Sequence, residues 1–399
     1  MVIYLGIYDM SQRMGRINNY QHFDKGFFGL MDQLVESTKP ESFILLEVSY
    51  EAILDSGVNP QSLRGSNTGV YIGLTTYPHS DGYSPDVQPD VSGSIHNVIF
   101  KTVYNMKNLY ASRISFANDF KGPSLVVDTA CSSSLSALTL ACNDILLGKA
   151  DAAIVCGTHM LFEPLISQYL YEFGVCSPRG VSAVFDESAD GFVRSEAVVA
   201  VFLQRRQDSH RMYAQIVSSR MNVDGRKTVG MLYPSADSQE QLMRETYTLS
   251  NIDPKRLTYF EAHATGTKVG DPQEVKAIYN AYCATRTTPL PLGAVKSNIG
   301  HSEGSSGLAA VNNFGIGGTN AHVLLEPNYK VETSNSFLIA ENIPRIVNIC
   351  GRTEEAVKYV MDFIQNNPKR VTNDFLALLA PVMRFVPCIN SGGMPYRVN

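Results

Sequence analysis

The sequence has no surplus of basic residues: 33 Lys and Arg stand against 38 Asp and Glu, a formal charge of −5 over 399 residues. That balance offers no electropositive field to a phosphate backbone, and nucleic-acid binding is disfavoured. No apolar run approaches the roughly 20 residues that cross a bilayer, and the start lacks the basic-then-apolar pattern of a secretion signal. Seven cysteines show no regular spacing and no C-x-x-C pair, which argues against a disulfide framework and against a structural zinc site. A soluble protein of the reducing cytosol, without a membrane partner, is the reading that remains. What is present is globular, with 44% hydrophobic and 18% charged residues. The length suits two or three ordinary domains, or one large unit with two cores.

Strand and helix patterns alternate along most of the chain. Val2–Ile7 and Thr68–Leu74 predict strands, Ser42–Ser56 carries a helical repeat, and the Pro-, Asp-, Ser- and Gly-rich stretch Tyr77–Ser94 predicts a loop. Ala152–Gly157 reads as a buried parallel strand, followed by strands at Val198–Leu203 and Ala214–Val217. Asp186, Glu187 and Asp190 sit in a turn and read as turn chemistry, not metal ligands. The second half continues with a helix at Gln239–Leu249, a strand at Leu257–Glu261, a helix from Pro272, and strands at Leu292–Lys296 and Ala321–Leu325. In Asp271-Pro272-Gln273-Glu274 the acid reads as an N-cap before a proline at the first helical position.

One stretch orders the rest. Ser124–Val127 predicts a short strand, and Leu135, Leu138, Ala141 and Cys142 recur at helical spacing, which puts Cys131 at the joint. A cysteine at a helix N-terminus meets unpaired N–H groups and the positive end of the dipole, which lower a thiol pKa from about 8.5. On its own, a cysteine in an apolar stretch reads as an inert core residue. Two histidine loops change that weighing: Glu261-Ala262-His263-Ala264-Thr265-Gly266-Thr267 and Lys296-Ser297-Asn298-Ile299-Gly300-His301.

Taken with the cysteine stretch, in this order and spacing, these motifs resemble the β-ketoacyl synthase family, specifically the ketosynthase of animal, insect-like type I fatty acid synthases. The resemblance implies a thiolase-like α/β fold, two βαβ-rich halves packed as five layers, with Cys131 in the first half and both histidines in the second. It implies a decarboxylative Claisen condensation. Cys131 takes an acyl group from an acyl carrier protein, and malonyl on the carrier then loses carbon dioxide and attacks the thioester. His263 and His301 donate to the enolate oxygen. Lys296 hydrogen-bonds and tunes its histidine, and Thr265 and Thr267 contact the phosphopantetheine arm that carries the substrate.

Phe314-Gly315-Ile316-Gly317-Gly318-Thr319-Asn320 matches the family's glycine loop with isoleucine in place of the second phenylalanine. Its backbone N–H at Ile316, with that of Cys131, forms an oxyanion hole. These glycines lack the strand-to-helix setting of a dinucleotide fingerprint. No bound cofactor and no metal are expected, and a homodimer is.

The chain departs from the family in two places. Its start looks truncated or mis-joined, with Thr38-Lys39-Pro40-Glu41 where relatives carry Met-Asp-Pro-Gln. Between Ala310 and Val311 a long helix, a proline-rich connection and further strands are missing. That junction is expected to displace Ile316 from Cys131. Residues 1–330 read as the ketosynthase. Residues 331–399 read as the beginning of the linker to an acyltransferase, with a polar stretch at Val331–Ser336, a strand at Pro344–Cys350, helices at Glu354–Gln365 and Asp374–Ala380, and a closing Gly393–Arg397. The alternatives are a polyketide synthase ketosynthase, which shares these residues, and a non-catalytic remnant; a cysteine hydrolase has no use for two such histidine loops.

Overall fold

The structure is a computed structural model and describes residues 11, 13–75, 95–309, 311–328, 354–368, 371 and 375. The expected elements at Val2–Ile7, Tyr77–Ser94, Val331–Ser336, Pro344–Cys350 and Gly393–Arg397 lie outside the described residues, as does all of the Asp374–Ala380 helix but residue 375.

The first half runs α1 (Asp32–Ser37), α2 (Glu41–Asp55), β1 (Thr68–Leu74), α3 (Ile95–Tyr104), α4 (Lys107–Asn118), β2 (Ser124–Val127), α5 (Ser133–Leu146), β3 (Ala152–His159), α6 (Pro164–Glu172) and β4 (Ala197–Gln204). Its sheet has the order β2-β1-β3-β4, parallel except for β4. Alternate side chains on a strand face opposite ways. Val70, Ile72, Ile154 and Cys156 accordingly pack on Phe43, Leu45 and Leu46 of α2 and on Ala111 and Ile114 of α4. Tyr71, Ala153 and Val155 pack on Leu135, Leu138 and Ala141 of α5. Both faces of β1 and β3 are covered, which is why these strands read as near-continuous apolar runs. Gly73 lets α5 come close: a Cβ there would lie 2.3 Å from the Ser134 nitrogen.

The second half contains β5 (Ala214–Val223), α7 (Ala236–Leu249), β6 (Phe260–Glu261), α8 (Gly270–Ile278), β7 (Leu292–Gly293), α9 (Lys296–Ile299), β8 (Asn312–Phe314) and β9 (Thr319–Pro327); α10 (Glu354–Asn366) follows. Strands β5-β9-β8 form an antiparallel sheet that packs on α5 from its other side, through Ala321 and Val323, and is covered outside by α7. The order of layers is therefore helices, sheet, α5, sheet, helices. Strands β6 and β7 make a separate parallel pair whose Phe260 sits in a core with Met243, Ala277 and Tyr282.

Among the boundaries that differ from expectation, the Leu257–Glu261 strand shortens to Phe260–Glu261, the Ala214 strand runs on to Val223 and the Gln239 helix starts at Ala236, while two others bear on the site. Strand β7 ends at Gly293, and Lys296 heads the short helix α9 instead of closing a strand. Helix α8 begins at Gly270 with Val269 at its N-cap, so Asp271 lies inside the first turn and is not the cap. Its carboxylate faces back into the preceding loop and accepts N–H groups from Gly266 and Thr267 at 3.1 and 3.3 Å, and from Phe185 at 3.0 Å. The helix at Glu354 is found with one further residue.

Candidate active site

Cys131 sits in a tight turn between β2 and α5. Ala130 adopts a left-handed conformation with φ 54°, a cost that an L residue bears only where its surroundings fix it. They do: the Ala130 carbonyl accepts from Thr75 Oγ1 at 3.0 Å and from Ser133 Oγ at 2.5 Å. Helix α5 starts at Ser133 with Ser132 as N-cap, so the cysteine precedes the cap by one residue.

The two histidine loops converge on this turn. His301 Nε2 lies 3.1 Å from Cys131 Sγ, and the His263 and His301 rings meet edge to face at 5.3 Å. Phe192 and Phe314 close the surroundings, 4.8 Å from His301 and 4.3 Å from His263. His301 is set by backbone bonds to the strand-like segment beside it, its N–H to Val193 O and its carbonyl to Ser195 N–H. Glu274 sets the other loop. Its buried carboxylate accepts the N–H groups of His263 and Ala264 at 2.7 and 2.8 Å and the Asn312 amide at 2.6 Å.

The backbone N–H groups of Ile316 and Cys131 both face the Cys131 sulfur. The displacement of Ile316 expected from the Ala310–Val311 junction is therefore not found. Gly315 allows the approach, because a Cβ there would stand 2.2 Å from the Thr129 carbonyl oxygen. Ser306 Oγ donates to the Cys131 carbonyl at 3.1 Å.

The electrostatics differ from the sequence-based expectation of a lowered thiol. Burial pushes the Cys131 thiol up to about 12, and the Glu303 carboxylate adds to the rise; the two N–H groups and Lys296 oppose it. A group packed this deeply loses more hydration than two N–H dipoles return. Burial, and then the Lys296 cation, lower His301 to about 3 and His263 well below the usual imidazole range. Both rings are neutral. Burial lowers Lys296 to about 8 against the pull of Glu274 and Cys131.

Lys296 corrects one expectation. It is 1% exposed, and its Nζ has no hydrogen-bond partner among the described residues, so it acts on the histidines through charge and not through a hydrogen bond. Thr267 Oγ1 accepts the Gly270 N–H at 3.1 Å and lies 3.4 Å from Thr265 Oγ1, which places both hydroxyls together in the turn.

Sequence reasoning missed the cluster behind His301. Glu303 is buried against Arg194 Nε at 2.6 Å and His159 Nε2 at 3.2 Å. Although burial opposes it, these two partners hold the Glu303 carboxyl well below the usual range. Its place two residues after His301 is the one signal the sequence offers; Arg194 and His159 come from distant segments. Among the described residues no cluster of His, Cys, Asp and Glu could hold a metal ion, and no helix is long and apolar enough to cross a membrane.

Comparison with known proteins fits this geometry. Residues 9–209 match the family model of the β-ketoacyl synthase N-terminal domain, 213–314 that of its C-terminal domain, and 286–397 the ketoacyl-synthetase C-terminal extension. A fatty acid synthase from the goose Anser anser anser is 42% identical over 306 residues, covering 77% of this chain and 85% of that one. A 6-hydroxymellein synthase from Talaromyces verruculosus is 37% identical over 360 positions; these take in 76% of this chain but 14% of that much longer one. Among solved structures, an oxazolomycin ketosynthase domain from Streptomyces albus superposes with a TM-score of 0.78 at 27% identity, covering 92% of this chain and 73% of its own. The ketosynthase from module 6 of the Bacillus subtilis bacillaene synthase gives 0.77 at 27%, covering 92% and 70%. The layered, thiolase-like architecture is thus shared. With matching family models across both halves, the chain belongs to the β-ketoacyl synthase family, as a ketosynthase of the animal fatty acid synthase kind.

Proposed function

We propose that Cys131 is the nucleophile, that His263 and His301 serve the decarboxylation, and that the substrates arrive as acyl and malonyl thioesters of an acyl carrier protein. The observation that carries this reading is His301 Nε2 at 3.1 Å from Cys131 Sγ, with the N–H groups of Ile316 and Cys131 on the same sulfur. With its proton on Nε2, His301 adds a third donor to that sulfur. Three donors favour the thiolate as it forms. The thiolate attacks the acyl thioester, the carbon–sulfur bond to the carrier breaks, and the proton given up by Cys131 goes to the departing carrier thiolate, which leaves as the thiol.

In the second step the malonyl carbon–carbon bond breaks, carbon dioxide leaves, and the electron pair passes into an enolate. Neutral imidazoles at His263 and His301 donate Nε2–H to the enolate oxygen, a stabilisation made only as the charge develops. The enolate carbon attacks the acyl carbonyl, whose oxygen turns to the Ile316 and Cys131 N–H groups; the carbon–sulfur bond breaks, and Cys131 leaves as a thiolate that takes its proton from solvent. Burial, and after it the charge of Lys296, keeps both imidazoles neutral. Thr265 and Thr267 line the approach of the phosphopantetheine arm.

The residue range 1–330 forms the condensing unit and 331–399 the start of the linker that follows it. A homodimer is supported by the outer edge of β2, which no other strand among the described residues pairs and where Leu125 is 43% exposed; an unpaired edge strand is a template for a second chain. A cytosolic site suits the free thiol chemistry. The test is transfer of a radiolabelled acyl group from carrier protein to Cys131, followed by carbon dioxide release from malonyl carrier. Stable labelling of another cysteine in place of Cys131 would refute the reading.

A further inference from the structure

Arg194 belongs to the first half of the chain and His301 to the second, yet the two stand side by side in backbone register. The His301 N–H donates to Val193 O at 2.7 Å, and its carbonyl accepts from the Ser195 N–H at 3.0 Å. The Arg194 side chain reaches on to the turn that follows His301, where its Nε donates to Glu303 Oε1 at 2.6 Å. Its Nη1 donates to Ser167 Oγ of α6 at 2.7 Å, and its Nη2 lies 3.3 Å from Nε2 of His159, the last residue of β3. One guanidinium thus ties the His301 segment to two elements of the half that carries Cys131.

The far end of the same turn grips the cysteine. Ser306 Oγ donates to the Cys131 carbonyl at 3.1 Å, and the Gly307 N–H donates to Ser134 Oγ at 2.9 Å. Between His301 and Ser306 stands Glu303, with a φ of 41°, a left-handed backbone that persists only where the surroundings fix it. Arg194 and Glu303 are both buried. Removing two charges from water offsets most of their attraction, so such a pair contributes little net stability; what it contributes is one geometry. The His301 ring depends on that geometry. A ring nitrogen is ordinarily aimed by the bond its partner nitrogen makes, but His301 Nδ1 has no hydrogen-bond partner among the described residues. The aim of Nε2 at the sulfur therefore follows from where the segment is held.

We propose that Arg194 and Glu303 are positioning residues, which together hold the His301 segment against the first half so that Nε2 stays on Cys131 Sγ. This deepens the reading of Cys131 as the nucleophile and rests on it. His263 is served differently, because its loop is held by Glu274, which also binds Asn312, and all three belong to the second half. Loosening the Arg194–Glu303 pair therefore weakens one donor to the forming thiolate and leaves the other imidazole in place.

The experiment combines Arg194→Gln with Glu303→Gln, which removes both charges and leaves neither unpaired, and follows alkylation of Cys131 by iodoacetamide at a fixed alkaline pH through the mass of its peptide. The combined variant melts near the unaltered protein and is alkylated about tenfold more slowly, the effect of losing one hydrogen bond to a charged group. In a His301→Ala background it slows alkylation no further, whereas in a His263→Ala background the full factor remains. With malonyl carrier protein as substrate, kcat for decarboxylation falls and KM holds. No slowing at all, or equal slowing with and without His301, overturns the proposal, the second outcome making the pair a general support of the fold. If the combined variant does not fold, the same comparison is made with Arg194→Lys, which keeps the charge and loses the fork to Ser167 and His159, and the same outcomes decide. Acyl transfer to a cysteine other than Cys131 refutes the nucleophile reading instead, and the alkylation rates still judge the pair.

Discussion

The two sheets that flank α5 are held in different ways. Every residue of β1 and β3 is buried, whereas no residue of β5 is. In the first sheet, α2 and α4 cover one face and α5 the other. In the second, α7 covers the outside, but among the described residues the middle layer offers α5 and the short 3₁₀ turn Glu303–Ala309, after which the chain goes almost directly into β8. The nucleophile therefore rests on packing. The histidines rest on hydrogen bonds, above all those to Glu274 and to the Val193–Ser195 backbone. A site can thus keep its geometry on both sides although one side lacks a covering helix.

Four experiments separate the two kinds of support. The largest effect belongs to Cys131→Ala, which removes one sulfur from the well-packed side: acyl labelling falls to background while the melting temperature stays near that of the unaltered protein. Labelling that persists would move the nucleophile to another cysteine such as Cys142 or Cys156.

Next is the histidine side. In a chain with a relative's intervening segment restored, His263→Ala lowers malonyl decarboxylation by about 10²–10³-fold, the usual loss on removing one oxyanion donor, and leaves some acyl transfer to Cys131. His301→Ala costs decarboxylation as much and slows acyl transfer further, since its Nε2 is the one at the sulfur. Decarboxylation that survives both changes contradicts this mechanism.

The third is the junction itself. Inserting a relative's segment between Ala310 and Val311 covers inner apolar surface, and a few hundred Å² at about 25 cal/mol per Å² amounts to several kcal/mol, a large share of an ordinary margin of about 5–15 kcal/mol. The restored chain melts higher and turns over faster, this chain as it stands being the less soluble and less active of the two. Equal cooperativity and equal turnover would show that the hydrogen bonds of the second half suffice.

The smallest effect is a flat line. Because burial lowers His301 to about 3 and His263 well below its usual range, decarboxylation shows no acid limb between about pH 5 and 7, where an ordinary imidazole with pKa about 6.5 titrates. Stability behaves otherwise. The unfolded chain takes up these protons first, so the folded state loses stability as pH falls below about 6.5 toward the folded-state values. An acid limb near pH 6.5 in the rate would mean that the imidazoles are solvated.

The sequence revealed the elements that repeat a simple pattern. Thr68–Leu74 matches its strand to the residue, and the helix after Cys131 and the strand from Ala152 lie where apolar spacing put them. Cys131, His263 and His301 come together as their motifs implied. What stayed hidden depends on distance in space. Lys296 looked like a strand end because Leu292 and Val295 are apolar, but β7 is two residues long and α9 begins at once. Asp271 looked like a cap because it precedes a proline; its partners are N–H groups of the loop behind it. The rise of the Cys131 thiol follows from burial and Glu303, which local spacing does not encode, and nothing in the chain order links Glu303 to Arg194 and His159.

Glu274 gives the site a mechanical property. One carboxylate grips the His263 loop through two backbone N–H groups and the root of the glycine loop through Asn312, two residues ahead of Phe314. It works as a rivet through two plates. A displacement of Asn312 would therefore pull on the carboxylate that holds the His263 backbone. The histidine loop and the root of the glycine loop are thereby held in one register by a single side chain.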